Sequence, residues 1–266
     1  MQNTGVNGQF NTAVGSNALF RTTGSAFNTA IGFSAGSGFN MGFNNTIIGA
    51  QADINQNDLF NCVALGQGAR CTGSGQVRFG NLVTNSIGGV VGYTTLSDGR
   101  YKKNIQETVK GIDFIMKLRP VMYQLDMAGL NKKLNINASD KMDELSKKSM
   151  DENEKTIFTG FVAQEVEQAA KTVGYDFSGV DKPKNENDFY GLRYAEFVVP
   201  LVKAFQELNT KVEKLEKENE LLTMNIQQVE RSEIAITIGK QQQMIIELKN
   251  QNADLQKRVL ALERNK

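Results

Sequence analysis

Two side chains that can do covalent chemistry together lie in the segment LSDGRYKKNI, residues 96–105. Ser97 carries a hydroxyl, and Lys102 follows it five residues later. A serine hydroxyl becomes a good nucleophile when a base removes its proton, and lysine acts as that base where burial or nearby cations lower its pKa. Spacing alone leaves a plainer alternative open, in which the residues from Ser97 form a turn and the lysine is solvated charge.

The composition excludes the catalytic schemes and metal sites that depend on histidine. The chain has no histidine, which rules out Ser-His-Asp and Cys-His catalysis and every metal site that needs imidazole. Cys62 and Cys71 are too few for a disulfide framework and form no CxxC pair, so we interpret them as small packing residues. We predict neither a metal ion nor a cofactor.

Charge and hydropathy argue against two classes of partner. The chain has 30 Lys and Arg against 29 Asp and Glu, a net charge of +1, so we predict no nucleic-acid partner. It contains no run of 18 apolar residues, so we predict no membrane insertion. The N-terminus lacks the regions of a signal peptide, and Met1 stands within a repeat. We therefore expect a fragment of a longer protein, or a short gene that relies on non-classical export.

The elements that must position Ser97 begin with a repeat of 17 residues. The repeated segments are NTAVGSNA (11–18), NTAIGFSA (28–35), NTIIGAQA (45–52) and CVALGQGA (62–69). A fixed period of this length is typical of a solenoid. The alternative is a disordered tract rich in Gly and Asn, but disorder has no reason to keep a 17-residue phase.

The repeats also predict which side chains stack. Strand alternation places Thr12 and Val14 on one side and Ala13 on the other. One predicted column, buried between coils, consists of Val14, Ile31, Ile48 and Leu65. A second column, an asparagine ladder, consists of Asn11, Asn28 and Asn45. The phase breaks near residues 78–80 and 87–88. Residues 5–80 resemble the left-handed parallel β-roll of YadA-like trimeric adhesin heads, although the period here is longer.

Three blocks resemble the endosialidase-type intramolecular chaperone family, whose members end phage tail spikes and fibres. LSDGRYKKNI matches the family signature SD-x-R-x-K-x-N-I. GFVAQEVE (160–167) and YGLRYAEFVVPLVKAFQEL (190–208) follow in the family's order. The resemblance covers about residues 93–208.

The resemblance implies a single self-cleavage. Formation of a homotrimer completes the site, and the chain is then cut at the Leu96–Ser97 bond, with Ser97 as nucleophile and Lys102 as general base. The chaperone acts once and leaves, so the assembled product is kinetically trapped.

Other positions match the motifs with less certain roles. Asp98 and Arg100 would pair across the turn, and Asn104 would donate to a developing oxyanion, although turn formation and capping are equally open. Gln164 and Glu165 match the family's polar pair and would support the site from across the fold or from another subunit. Structural hydrogen bonding is the alternative.

Two further predictions concern the surroundings of these motifs. Phe161, Val162 and Val166 fit the buried side of a strand that runs into a helix. Residues 128–156 are polar and without clear periodicity, so we interpret them as an inserted, mobile loop.

The C-terminal part predicts a coiled coil, because apolar residues recur at steps of three and four. The first phase is Val198, Leu201, Phe205, Leu208, Val212, Leu215, Asn219, Leu222, Ile226 and Val229. The second is Ile245, Leu248, Asn252, Leu255, Val259 and Leu262, after a phase slip at 231–243. Pro200 marks a helix start or a kink. The heptads alone lean towards two strands, whereas the family resemblance implies three.

The predicted fold is α+β, an elongated homotrimer divided into a β-roll stalk (1–92), a chaperone domain (93–193) and a coiled coil (194–266). The predicted function is an intramolecular chaperone and self-cleaving serine endopeptidase at the end of a fibre or adhesin. The alternatives are a trimerisation module that does not cut and a receptor-binding tip whose host-surface ligand the sequence does not identify. The resemblance places the protein in a phage virion tail or on a bacterial surface.

Overall fold

The structure is a computed structural model that describes residues 8–38, 40–134 and 144–264. The described residues divide into two compact units, with the boundary between Ala204 and Phe205. The first unit holds a β-solenoid and a small α+β region, and the second is helical. The α+β class with a solenoid followed by a long helix is therefore confirmed. The boundaries after residues 92 and 193, the left-handed winding and the trimer remain predictions.

The solenoid is built from short strands. They are β1 (Thr12–Val14), β2 (Thr29–Ile31), β3 (Thr46–Ile48), β4 (Asp53–Ile54), β5 (Val63–Leu65), β6 (Arg70–Cys71) and β7 (Val77–Phe79). In the described part of the chain, β1, β2, β3, β5 and β7 form one parallel sheet in that order, and β4 pairs with β6. The register is 17 residues from Thr12 to Thr29 and 14 residues from Val63 to Val77. The predicted break near residue 80 is thus a shortened coil that continues the sheet.

The middle residues of β2, β3 and β5 fill the interior of the solenoid. Ala30, Ile47 and Ala64 are fully buried. The predicted buried column is wrong, because Val14 is 55% exposed and Ile31 is 39% exposed. Both faces of these strands carry apolar side chains, so alternation separates two faces without telling which one is inside.

The predicted asparagine ladder is confirmed. The Asn28 side-chain oxygen accepts a hydrogen bond from the backbone N–H of Asn45 at 3.0 Å. The Asn28 Nδ2 donates to the Gly42 carbonyl at 2.9 Å. Asn11 and Asn45 bond their own neighbours in the same way. These amides join successive coils through the backbone, which satisfies polar groups that would otherwise be buried without partners. Cys62 and Cys71 are buried in the same core, as predicted.

The α+β region follows the solenoid and contains short elements. They are α1 (Ile112–Ile115), β8 (Val121–Tyr123), α2 (Met127–Lys133), α3 (Glu144–Lys155), β9 (Phe158–Gly160), α4 (Ala163–Thr172), β10 (Val180–Asp181) and β11 (Gly191–Leu192). β8 pairs with β9 and β10 with β11, both antiparallel. The core consists of Phe114, Val166, Ala169, Ala170, Phe177, Val180 and Phe197. Helix α4 therefore covers this core with its apolar face.

Two predictions about this region need correction. The segment 128–156 is not a loop where it is described, because α2 and α3 occupy most of it, while residues 135–143 lie outside the described part. The Asp126 carboxylate caps α2 by accepting from the Gly129 N–H at 2.7 Å, and Met127 is buried. Each helix buries one methionine, Met127 in α2 and Met150 in α3. One buried apolar residue in a helix gives no clear period, so the sequence pattern did not predict these helices. Val162 is also 38% exposed, although Val166 is buried as predicted.

Helix α5 (Val198–Arg264) begins in the first unit and makes up the described part of the second. Pro200 lies in its first turn, so it marks a helix start and not a kink. The helix continues without interruption through residues 231–243. Its heptad positions are exposed, with Leu215 at 57% and Ile226 at 52%. Among the described residues, no helix is both long enough and apolar enough to cross a membrane.

Candidate functional site

Ser97 and Lys102 meet across a single 3-10 turn. The turn spans Gly99–Tyr101 and is closed by the backbone N–H of Lys102, which donates to the Gly99 carbonyl at 3.2 Å. The chain folds back there, so that Lys102 Nζ lies 2.8 Å from Ser97 Oγ. Both side chains are exposed. A spacing of five residues thus becomes a direct hydrogen bond because a tight turn occupies the interval.

Asp98 holds this turn in shape. Its carboxylate accepts from the backbone N–H of Arg100 at 2.9 Å and from Arg100 Nη2 at 2.6 Å. The guanidinium of Arg100 lowers the pKa of Asp98, and the carboxylate raises the pKa of Arg100. The predicted pairing across the turn is confirmed. Asp98 also caps the turn, so the alternative role of these residues is observed as well.

Asn104 lies beyond the turn and has a φ of +53°, a left-handed conformation that asparagine tolerates better than most residues. Its side chain is exposed. No hydrogen bond of Asn104 to Ser97 or Lys102 is seen among the described residues. The role of oxyanion donor remains a prediction.

Gln164 and Glu165 stand in the first turn of α4 and have other partners. The Glu165 carboxylate accepts from Arg119 Nε at 3.0 Å and from Arg119 Nη2 at 2.5 Å. This guanidinium lowers the pKa of Glu165. Gln164 lines a surface cavity of about 480 Å³ beside Phe161 and Tyr194. In the described part of the chain the pair does not contact Ser97 or Lys102, so its support of the site remains a prediction.

Glu167 lies at the centre of a cluster of polar side chains that the sequence motifs did not predict. Its carboxylate contacts Lys171 Nζ at 2.8 Å and Lys182 Nζ at 3.0 Å, and accepts from the Tyr190 hydroxyl at 3.0 Å. These donors lower the pKa of Glu167 to about 2. The spacing of Glu167 and Lys171 is a readable helix pair. Lys182 and Tyr190 come from elsewhere in the chain, as Arg119 does for Glu165, and no local signal predicts them.

The peptide bond before Ser97 is accessible. Residues 85–96 contain no helix or strand and are exposed, with Leu96 at 83%. A hydroxyl, an amine and this bond therefore lie within a few residues of one another. Such a set can carry out nucleophilic attack with proton transfer, provided that the amine is neutral. Among the described residues, no three His, Cys, Asp or Glu side chains form a group that could hold a metal ion.

Comparison with known families gives one match. A peptidase family model described as the chaperone of endosialidase matches residues 97–175. The match begins at Ser97, includes Lys102 and the segment 160–167, and ends before the predicted third block at 190–208. Comparisons with curated proteins and with solved structures found no match. The predicted resemblance to this family is therefore confirmed over residues 97–175.

Proposed function

We propose that this chain is the C-terminal part of a trimeric fibre or adhesin-like protein, and that the region from Ser97 onward is an intramolecular chaperone that frees itself by cutting the Leu96–Ser97 bond. One observation carries this proposal. Lys102 Nζ lies 2.8 Å from the hydroxyl oxygen of the residue at which the family match begins. The cut would leave the hydroxyl nucleophile at the new N-terminus.

Trimerisation is supported by the surface of α5. Its heptad residues, such as Leu215 and Ile226, are more than half exposed in the single chain. A regular apolar stripe on a helix of 67 residues is buried when parallel copies wind around one another. The partners are therefore copies of this chain, joined to an upstream fibre or adhesin region. The resemblance to the family implies three copies. Asn219 and Asn252 would be buried between these copies and would fix their register.

Assembly would also control the chemistry. A lysine amine accepts a proton only in its neutral form, which burial and nearby cations favour. Lys102 is exposed in the single chain. Neighbouring subunits would cover it, so the base would form only in the trimer. This coupling prevents the chain from cutting itself before it has assembled.

The proposed reaction has two steps. The neutral Lys102 amine takes the proton of the Ser97 hydroxyl while Ser97 Oγ attacks the Leu96 carbonyl carbon. The carbon–nitrogen bond breaks, the proton passes to the departing amino group of Ser97, and Leu96 is then joined to Ser97 by an ester. Water hydrolyses the ester to the Leu96 carboxylate and restores the Ser97 hydroxyl.

The intact mass of the purified chain tests this function. We expect the wild type to divide into 1–96 and 97–266, and both Ser97→Ala and Lys102→Ala to stay whole. Lys103→Ala is the matched control, because it removes an adjacent lysine charge and should leave cleavage unchanged. Hydroxylamine, which attacks esters, should accelerate cleavage if hydrolysis of the ester is slow. A wild-type chain that assembles but stays at full length would overturn the self-cleavage.

The second candidate is a trimerisation module that never cuts, and the exposure of both Ser97 and Lys102 favours it. It predicts a trimer of full-length chains for the wild type and for all three variants. In either case we place the protein in a phage tail or on a bacterial surface. A receptor-binding role, with a host-surface ligand, would belong to the solenoid, and cell binding by residues 1–96 would test it.

A further inference from the structure

A loop of the α+β region lies against the last coils of the solenoid. The loop, residues 182–190, joins β10 to β11. It contacts the turn at residues 72–76, between β6 and β7, within the first compact unit. These contacts join parts of the chain that are more than 100 residues apart. They also connect one side of the proposed cleavage site with the other.

Asp188 is the centre of this contact. Its side chain is buried, with 5% of the residue exposed. The carboxylate accepts from Thr72 Oγ1 at 2.6 Å and from Gln76 Nε2 at 2.9 Å, while the backbone N–H of Lys184 donates to it at 3.0 Å. A buried carboxylate with this many donors is well satisfied, and removal of its charge leaves those donors without a strong acceptor.

Further hydrogen bonds surround Asp188. Asn185 Nδ2 donates to the Thr72 carbonyl at 2.8 Å, and Lys184 Nζ donates to the Ser74 carbonyl at 2.8 Å. A third bond reaches the previous coil, where Asn187 Nδ2 donates to the Gln56 side-chain oxygen at 3.0 Å. The loop therefore bonds both the backbone and the side chains of the solenoid.

The solenoid has room for this loop because its last coil is short. From β4 to β5, Ile54 and Val63 are nine positions apart (63 − 54), and both stand in paired strands. From β6 to β7, Cys71 and Val77 are six positions apart (77 − 71). The three missing positions fall in the turn that the 182–190 loop covers. The loop thus supplies polar partners at the point where the repeat falls short.

We infer that the 182–190 loop is a latch that keeps the two pieces together after the bond before Ser97 is broken. Cleavage removes the covalent link at residues 96–97 and leaves every latch contact in place. Release of the chaperone is then a second step, separate from cleavage, that requires the latch to open. The role of the latch in a cleaved chain rests on the proposed function. The contact between the 182–190 loop and the solenoid does not depend on that function.

A full-length chain that cannot cut itself tests the latch directly. We would combine Ser97→Ala with a recognition sequence for a specific protease, inserted between Gly88 and Gly89, where the backbone is exposed. After the added protease has cut the chain, we expect the two pieces to co-elute from a sizing column at micromolar concentration. Complete separation of the folded pieces would overturn the latch, whatever the wild type does at Ser97.

The two pieces would also co-elute if subunits were entangled with one another. Substitutions in the latch distinguish that explanation from the latch contact. We expect Asp188→Asn and, from the solenoid side, Thr72→Val each to speed dissociation about tenfold or more. The first removes the buried charge that the donors face, and the second removes one hydrogen bond to that charge. Asp176→Asn removes an exposed carboxylate of the same region and should have no effect. Circular dichroism identifies a variant that fails to fold. Equal dissociation of the Asp176, Asp188 and Thr72 variants would contradict the proposal.

Discussion

The solenoid and helix α5 both have periodic sequences, but only the solenoid buries its repeating apolar residues within one chain. In the solenoid, Ile47 and Ala64 are fully buried between coils of one chain. In α5, the periodic residues Leu215 and Ile226 remain more than half exposed. A coil is covered by the next coil, which the same chain supplies. A single helix has no such neighbour in its own chain, so burial of its apolar stripe requires a helix from another chain.

This difference predicts which substitutions act within a chain and which act on its association. A change in the solenoid core should lower the stability of the folded chain whether or not it assembles. A change in the α5 stripe should alter assembly and leave the fold of the single chain intact. Substitutions of glycine, of isoleucine and of a buried aspartate test this difference, in order of decreasing expected effect.

The largest effect is expected from Gly32→Ala. Gly32 has a φ of +134°, and a Cβ there would lie 2.6 Å from the carbonyl carbon of Gly49 in the next coil. Strain and overlap together should lower the free energy of unfolding of the solenoid by roughly 3–5 kcal/mol. Chemical unfolding followed by circular dichroism measures it.

Gly239→Ala in α5 is the matched control. A Cβ at Gly239 meets nothing within 4 Å in the chain, and alanine favours a helix over glycine by about 1 kcal/mol. We therefore expect unchanged or increased stability. A loss at Gly239 as large as the loss at Gly32 would refute the distinction between the regions.

A smaller effect, of a different kind, is expected from isoleucine substitutions. Ile47→Ala should destabilise the solenoid by about 2–4 kcal/mol, because it opens a cavity in a fully buried site. Ile226→Ala should instead shift the chain from the proposed trimer towards monomer as the protein is diluted. Sedimentation analysis of both variants over a range of concentrations distinguishes the two outcomes. If Ile226→Ala leaves the mass unchanged at every concentration, α5 is not the trimer interface.

The smallest effect concerns pH and the solenoid alone. Burial raises the pKa of Asp53 to about 6, although Arg70 and the backbone N–H groups of Ile54 and Gly38 partly oppose it. The unfolded value is near 4, so between pH 4 and 6 the native state binds more protons, and stability falls as pH rises through this window. Acidification from pH 7 to pH 5 should therefore stabilise the solenoid by about 1 kcal/mol.

Asp53→Asn should remove this pH dependence, whereas Asp58→Asn, at an exposed position of the same coil, should preserve it. The stability contributed by Glu167 changes with pH in the opposite direction, because its pKa is lowered to about 2. Its contribution is present above pH 4 and is lost only as pH falls towards 2. Melting curves at pH 7 and 5 that show no difference between wild type and Asp53→Asn would contradict the assignment.

The candidate site was predictable to the extent that it is local. The motif predicted the pairing of Asp98 with Arg100, and the structure places Lys102 beside Ser97, because one short turn joins all four residues. Glu165 was assigned to the site from its motif, but its observed partner is Arg119. That pairing depends on how α4 packs on the α+β core, and no local pattern records it.

The sequence by itself determined the periods, since the 17-residue repeat and the heptads follow from spacing along the chain. Only the tertiary structure decided which face of each strand is inside, because both faces of the strand Thr29–Ile31 are partly apolar and its middle residue takes the interior. It also decided that the 182–190 loop covers the short last coil. Register along a strand is a local property, whereas burial depends on what packs against it. The Asp188 carboxylate that accepts from Thr72 and Gln76 lies more than 100 residues away along the chain.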